Sequence, residues 1–242
     1  MSAFYESIAE WYDFIFPPDP AQVCFVRGRF RPSDGRLLDV GCGTGSLAAG
    51  LGREGYNVTA IDSDADMIRL ARAKSQQQDD IRFAVCDMRD LVQHFGTSSF
   101  NAVACFGNTL VHLNTMEDIS AFIRQTHAVL KEGGLFLLQI LNYDHVLDHG
   151  VRQLPLIDND RVRFERNYAT DEAAGLLKFR TVLTVKETGR MIENEVTLLP
   201  IRKAALEAAI LEAGFRDSQW FGDFAGNPLV ETSLPLVGVS VR

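Results

Sequence analysis

The residues best placed to do chemistry are three glycines at alternate positions, Gly41, Gly43 and Gly45, in the stretch Leu37-Leu38-Asp39-Val40-Gly41-Cys42-Gly43-Thr44-Gly45. Glycine lets a backbone turn tightly and approach a ligand where a Cβ would collide. Asp62 ends the next apolar run roughly twenty residues on, where a carboxylate can accept hydrogen bonds from a ribose diol. Together these suit a nucleotide-like cofactor. A dinucleotide loop reads G-x-G-x-x-G, but position 46 is serine and the third glycine comes one residue early. A nicotinamide-dependent oxidoreductase is therefore the second reading.

Other chemistry-bearing residues stand at the ends of later apolar runs: Cys86-Asp87-Met88, then Cys105-Phe106-Gly107-Asn108, with His112 shortly after. An imidazole titrates near neutrality, so His112 can serve as a base toward a hydroxyl acceptor. It can equally be a helix-start residue packed on its loop. Asn108 can orient an acceptor or bond the cofactor. His94 and His127 read as surface or structural. The four cysteines (Cys24, Cys42, Cys86, Cys105) have no metal-ligand spacing, and most sit in or beside apolar stretches as small hydrophobes. No metal site is expected.

These residues need elements to hold them. Strands are predicted at Arg36–Gly41, Asn57–Ile61, Ile81–Cys86, Phe100–Phe106 and Gly134–Leu141, short and apolar as strands buried on both faces are. Helices are predicted at Ser46–Arg53, Ala65–Gln77 and Met116–Leu130. The second begins after Asp62-Ser63-Asp64, which offers N-cap oxygens. The third is followed by Lys131-Glu132-Gly133-Gly134, read as a basic last turn and a glycine stop. Alternating βα units imply an α/β fold, a doubly wound parallel sheet with helices on both faces. Near-alternating runs at Arg161–Ala169, Leu176–Lys186 and Met191–Leu199 then read as an antiparallel meander, with turns at Thr170–Gly175 and Glu187–Gly189. A helix at Arg202–Ala213 and strands at Phe215–Phe221 and Pro235–Val241 follow.

The 242 residues are enough to bury a core without disulfides or metals, and they read as one domain, 1–242. Within it lie an N-terminal helical lid segment, 1–32, and a β insertion, 151–200. A formal net charge of −8 with no long basic run argues against a nucleic-acid partner. No signal peptide or apolar stretch of membrane-spanning length is present in the sequence, so a cytoplasmic protein off the membrane is expected.

Leu38-Asp39-Val40-Gly41-Cys42-Gly43-Thr44-Gly45, with Asp62, Cys86-Asp87-Met88 and Cys105-Phe106-Gly107-Asn108, resembles the class I methyltransferases that use S-adenosylmethionine (AdoMet). The likeness spans residues 36–141. It implies a seven-stranded, mostly parallel sheet whose last strand inserts antiparallel beside the fifth, with the β-meander as an insertion. It further implies AdoMet as the cofactor, S-adenosylhomocysteine (AdoHcy) as its product, and a cofactor site made by Tyr12, Asp39, Gly41, Cys42, Gly43, Asp62, Ser63, Met67, Asp87, Met88, Phe106 and Asn108. In that scheme Gly41 and Gly43 cradle the methionine portion with Asp39 near its ammonium. Asp62 takes the ribose, and Asp87 takes the adenine amine beside the Met88 backbone. Asp39 can alternatively bond loop amides, and Asp87 can be a plain strand-end carboxylate. Tyr12 is a lid residue because the family's N-terminal helix lies over the cofactor.

Gly107-Asn108-Thr109-Leu110-Val111-His112-Leu113, Asn142-Tyr143-Asp144 and Gly222-Asp223-Phe224 are similar to glycine and sarcosine N-methyltransferases and their bacterial small-molecule relatives. In the glycine enzymes an Arg before the Asn-Tyr-Asp triplet grips the substrate carboxylate. Here that position is Leu141, which disfavours glycine unless Arg163, Arg166 or Arg180 of the meander substitutes. The resemblance implies N- or O-methylation of a small-molecule acceptor, with Asn108 and His112 as catalytic residues. An AdoMet- or AdoHcy-binding protein without methyl transfer is the other reading. The meander is either a wall of the acceptor site or a dimer contact, and monomer and homodimer both remain open.

Overall fold

The computed structural model describes residues 2–76, 80–171 and 174–242. The chain opens with α1 (Ser2–Ile8), a 3-10 turn, α2 (Tyr12–Ile15) and α3 (Pro20–Arg27). Pro17 and Pro18 interrupt this stretch. Pro20 then starts α3 at its first position, where the missing N–H costs nothing, and the Asp19 carboxylate caps it by accepting from Ala21 N. Next come β1 (Arg36–Val40), α4 (Ser46–Arg53), β2 (Asn57–Asp62), α5 (Ala65–Lys74), β3 (Ile81–Val85), α6 (Leu91–Phe95), β4 (Phe100–Cys105), α7 (Met116–Val129), β5 (Leu130–Leu141) and α8 (Tyr143–Asp148). The remainder is β6 (Ile157–Asp158), β7 (Val162–Asp171), β8 (Leu176–Val185), β9 (Met191–Leu198), α9 (Lys203–Glu212), β10 (Arg216–Phe221) and β11 (Pro235–Val241).

The main sheet has the order β10-β11-β5-β4-β1-β2-β3, in which β11 runs antiparallel to both β5 and β10 and the other neighbours are parallel. Strand order reverses at β1, which lies between β2 and β4, and that reversal opens a crevice at the strands' carboxyl ends. Successive residues of β1 serve opposite faces. Leu37 packs with Phe25, Leu47 and Leu51 of α3 and α4, whereas Leu38 and Val40 pack with Ile119 and Phe122 of α7. Each such fully buried side chain contributes roughly 1.5–3 kcal/mol.

Two boundaries differ by more than two residues from the sequence reading. Helix α5 stops at Lys74, short of the Gln77 predicted; residues 77–79 lie outside those described, as do residues 172–173 of the predicted Thr170–Gly175 turn. The glycine stop after α7 is instead the start of β5. Leu130 already pairs with Phe100, and the register slips before Leu135 meets Ala102. Gly133 lies in the left-handed region at φ 73°, and a Cβ on Gly134 would meet Lys131 O at 2.8 Å. The glycines make a bulge inside the strand, held by Arg242, whose N–H donates to Gly134 O.

The meander is a second sheet of order β6-β7-β8-β9. Its inner face packs on the N-terminal segment, with Val162, Phe164 and Leu183 against Phe4, Ile8 and Ile15. The second sheet and the N-terminal segment therefore share one core. Leu199 N donates to Val111 O at 2.9 Å, tying the sheet's exit to the loop after β4.

Candidate active site

The glycine loop is shaped by contacts that exclude side chains. Gly41 has φ 70°, and a Cβ there would sit 2.3 Å from Thr109 Cγ2. A Cβ on Gly43 would press on the Tyr12 ring at 3.3 Å. The loop is also bonded to β2: Gly41 N and Cys42 N both donate to Ile61 O, and Gly43 N donates to Asp62 Oδ2 at 2.9 Å. Asp62 Oδ1 accepts from Asp64 N at 2.9 Å, so Asp62 fixes the loop through one oxygen and the start of α5 through the other.

A cleft of about 240 Å³ runs from this loop along the ends of β2 and β3, between Asp62, Ser63 and Met67 on one side and Asp87 and Met88 on the other. The Asp87 carboxylate accepts from Arg89 Nε at 3.0 Å and Nη2 at 2.7 Å, which holds it below its ordinary range. At the loop's other end Asp39 is buried, and its Oδ2 has no hydrogen-bond partner. Burial, with the charge of Asp62 adding, pushes its carboxyl up to about 7. A buried, unpartnered carboxyl oxygen beside a glycine turn fits a cationic group such as the AdoMet ammonium.

A larger cavity, about 410 Å³, lies on the opposite side of the loop. Its walls come from the N-terminal segment, the ends of β4 and β5, and the inner face of the second sheet. Both spaces are lined by Tyr5, Tyr12, Gly41, Phe106, Gly107 and His112, so they adjoin at the switch point of the main sheet. Asp39, Cys42 and Asn108 line the larger cavity, whereas Gly43, Asp62, Ser63, Met67, Asp87 and Met88 line the cleft. The nine-residue span from Asp39 to Leu47 thus serves both.

His112 lies in a 3-10 turn, Thr109–His112, with Nε2 2.9 Å from the Tyr5 hydroxyl and Nδ1 buried without a partner. Burial lowers its pKa to about 4, so the ring is neutral at pH 7. Asn108 takes a left-handed conformation, φ 65°, and its amide spans the ends of two strands: Oδ1 accepts from Leu141 N at 2.9 Å, and Nδ2 donates to the Tyr143 hydroxyl at 3.1 Å. The Cys42 thiol is held far above its ordinary range by burial and the nearby carboxylates, which makes it a poor nucleophile.

Several residues here were not singled out from sequence. Gln139 Oε1 accepts from Gly107 N at 2.7 Å and fixes the turn after β4. Asp13 of α2 accepts from Thr44 Oγ1 at 2.5 Å and is ion-paired to Lys74 of α5, which latches the N-terminal segment onto the glycine loop. Tyr168 of β7 lines the larger cavity. No local motif marks these pairs, because each joins segments far apart in sequence.

Known proteins resemble this chain in sequence and fold. The family model described as a methyltransferase domain matches residues 37–134. A glycine/sarcosine N-methyltransferase of Aphanothece halophytica is 30% identical over 192 residues, covering 78% of this chain and 69% of that protein. A ubiquinone biosynthesis O-methyltransferase of Xanthomonas axonopodis is 34% identical over 125 residues, 51% of this chain and 50% of that protein. The CcbJ methyltransferase of Streptomyces caelestis superposes with a TM-score of 0.82 at 22% identity, covering 96% of this chain and 95% of that one, a likeness of fold. With the glycine loop, the switch-point cleft and the seven-stranded sheet in place, the chain belongs to the class I AdoMet-dependent methyltransferases.

Proposed function

We propose that this enzyme moves a methyl group from AdoMet, seated in the cleft with its methionine end reaching past Gly41 to Asp39 at the edge of the larger cavity, to a small-molecule amine seated in the larger cavity. The observation that carries this reading is the shared wall. Gly41, Phe106, Gly107 and His112 border both spaces, so a donor on one side and an acceptor on the other would meet at the carboxyl ends of β1 and β4.

When bound, AdoMet would supply an electrophilic methyl carbon on a sulfonium: the acceptor–carbon bond forms as the carbon–sulfur bond breaks, and AdoHcy leaves as a neutral thioether. The protein's share is positioning and exclusion of water. Gly41 and Gly43 provide a backbone surface without side chains, Asp39 supplies the carboxylate for the ammonium, and Asp62 has lone pairs left for the ribose. Ser63, Met67, Asp87 and Met88 wall the adenosine end. Tyr12 closes over Gly43, and Phe106 covers the boundary between the two spaces.

The amine assignment follows from basicity. A hydroxyl acceptor needs a base to take its proton, and His112, with its pKa lowered to about 4 and Nε2 engaged by Tyr5, is a weak one. A neutral amine attacks through its lone pair and loses its proton afterwards. His112 therefore acts as a neutral wall and hydrogen-bond partner. Asn108 acts by holding the ends of β4 and β5 at the cavity's edge.

Calorimetry with AdoMet and AdoHcy, followed by turnover assays on matched amine and phenol panels, tests this. AdoHcy binding with transfer to amines in preference to phenols is expected. Binding without turnover of any acceptor would favour a cofactor-binding protein, and no binding of either nucleoside would overturn the whole assignment.

A further inference from the structure

Strand β7 carries one residue out of keeping with its place. Side chains two apart share a face of a strand, so Val162, Phe164, Arg166 and Tyr168 point together. Val162, Phe164 and Tyr168 are buried in the inner face of the second sheet. Arg166 stands in the same row and lines the larger cavity. Its register partners continue a polar row across the sheet, Arg166 to Thr181 and Thr181 to Asn194. The rows on either side are apolar: Phe164, Leu183 and Ile192 on one, Tyr168, Phe179 and Val196 on the other.

The guanidinium is poorly satisfied. Nη2 donates to Pro155 O at 2.7 Å, and Nε is buried with no partner. Among the described residues no carboxylate pairs with it. Two other arginines of the meander differ. Arg163 is paired with Asp158 and Glu165, and Arg180 with Glu195, and both arginines stand at exposed positions. A half-buried cation with free donors in an apolar wall is costly unless a counter-charge arrives. A planar fork of donors matches a carboxylate in two-point contact.

We propose that Arg166 is the anion-recognition residue of the acceptor cavity, and that the methyl acceptor is a small molecule with an apolar ring-sized body and a carboxylate. This rests on the larger cavity being the acceptor site. The volume of about 410 Å³ and the rings of Phe4, Phe16, Phe164 and Phe179 around it suit a body well beyond glycine in size. The charge is also arranged end to end. Carboxylates of Asp39 and Asp62 stand by the glycine loop, and the cation stands on the second sheet, so a carboxylate on Arg166 would point the rest of the acceptor back toward the loop.

The test uses the full chain saturated with AdoHcy and titrated calorimetrically with benzoate, phenylacetate and phenylalanine, each against its neutral amide. At least one carboxylate is expected to bind tenfold or more tightly than its amide. Arg166→Met should abolish that preference and leave AdoHcy affinity within twofold, and Arg166→Lys should restore part of it. Equal binding of acids and amides, no binding by any acid, or a preference that survives R166M would overturn the proposal. Failure of AdoHcy itself to bind would sink the cofactor assignment instead, and the acid-amide comparison run without it would still read Arg166.

Discussion

The two halves of the site are built by different means. The cleft proposed for the cofactor is organised mainly by backbone, with the side chains of Met67, Asp87 and Met88 along it: a glycine turn at the end of β1, N–H groups donated to Ile61 O and Asp62, and strand ends brought together by parallel pairing. The cavity proposed for the acceptor is made of side chains from the N-terminal segment, β4, β5 and a separate sheet. Backbone surfaces tolerate little change in what they bind, because moving them moves the fold. Side-chain walls can be altered one residue at a time. One scaffold can therefore keep its donor while its acceptor changes, and relatives with 30–34% identity that carry N- and O-methyltransferase names are consistent with that division.

The division breaks first at Gly41. A Cβ there would overlap Thr109 Cγ2 at 2.3 Å in a backbone at φ 70°. Gly41→Ala should weaken AdoHcy binding by about a hundredfold or more and lower stability by roughly 1–3 kcal/mol. Phe179→Ala, at a half-buried ring on the acceptor side, should leave AdoHcy affinity within threefold while altering which acceptors are used. Calorimetry and denaturant melts measure both. If Phe179→Ala weakened AdoHcy as much as Gly41→Ala does, the two halves would not be separable.

The same contrast explains what could be read in advance. The cleft was legible because its determinants are local: glycines at alternate positions, Asp62 at the next strand end, and short apolar runs whose two-sided burial follows from β1 serving both cores. The acceptor cavity was not, since contacts such as Tyr5 with His112 or Asp13 with Thr44 join residues 107 and 31 positions apart. Arg166 is an intermediate case. Its alternation with Val162, Phe164 and Tyr168 is in the sequence, but only the packing of α1 and α2 on that face turns an inward arginine into a cavity wall. The bulge at Gly133 and Gly134 looks in sequence like a helix stop because glycine ends helices and bends strands with the same torsions.

The next largest effect is in pH, and it separates Asp39 from His112. The folded pKa of Asp39 is raised to about 7 from 3.8, so its carboxyl costs stability progressively as pH rises through that window. The folded pKa of His112 is lowered to about 4 from 6.5, so its contribution is fully present above 6.5 and is lost as pH falls toward 4. Their slopes oppose each other between about pH 4 and 6.5, each by roughly 3 kcal/mol at most. Relative to the parent, Asp39→Asn should steepen the rise of apo stability with pH, and His112→Gln should reverse it. AdoMet affinity should also climb by up to about tenfold per pH unit between pH 5.5 and 7, as Asp39 ionises to meet the ammonium. Urea melts and calorimetry across that range check each slope, and a pH-independent affinity would remove Asp39 from the ammonium site.

A smaller change tests the seam between the halves. Asn108 holds Leu141 N–H and the Tyr143 hydroxyl from a left-handed backbone. Asn108→Gly keeps the torsion and loses the clamp, leaving a part-buried N–H without its partner at a cost of roughly 1 kcal/mol. Asn108→Ala should cost about 1 kcal/mol more, because alanine pays for φ 65° as well. If Gly and Ala variants were equally stable, strain at this turn would be negligible and the clamp would carry the whole effect.

The smallest expected effect lies where the acceptor side reaches over the cofactor side. Asp13 accepts from Thr44 Oγ1 and pairs with Lys74, with the acid 36% and the lysine 39% exposed. An ion pair that accessible is worth little, about 0–1 kcal/mol, and the hydroxyl bond adds about 1 kcal/mol. Asp13→Ala should therefore weaken AdoMet by only about three- to tenfold, with most of the change in the dissociation rate if α2 must lift for the cofactor to leave. Stopped-flow displacement of AdoHcy separates the rates. A slower association with unchanged dissociation would mean that Asp13 organises the open glycine loop, whereas faster dissociation would mark it as the latch that closes the N-terminal segment over a bound cofactor.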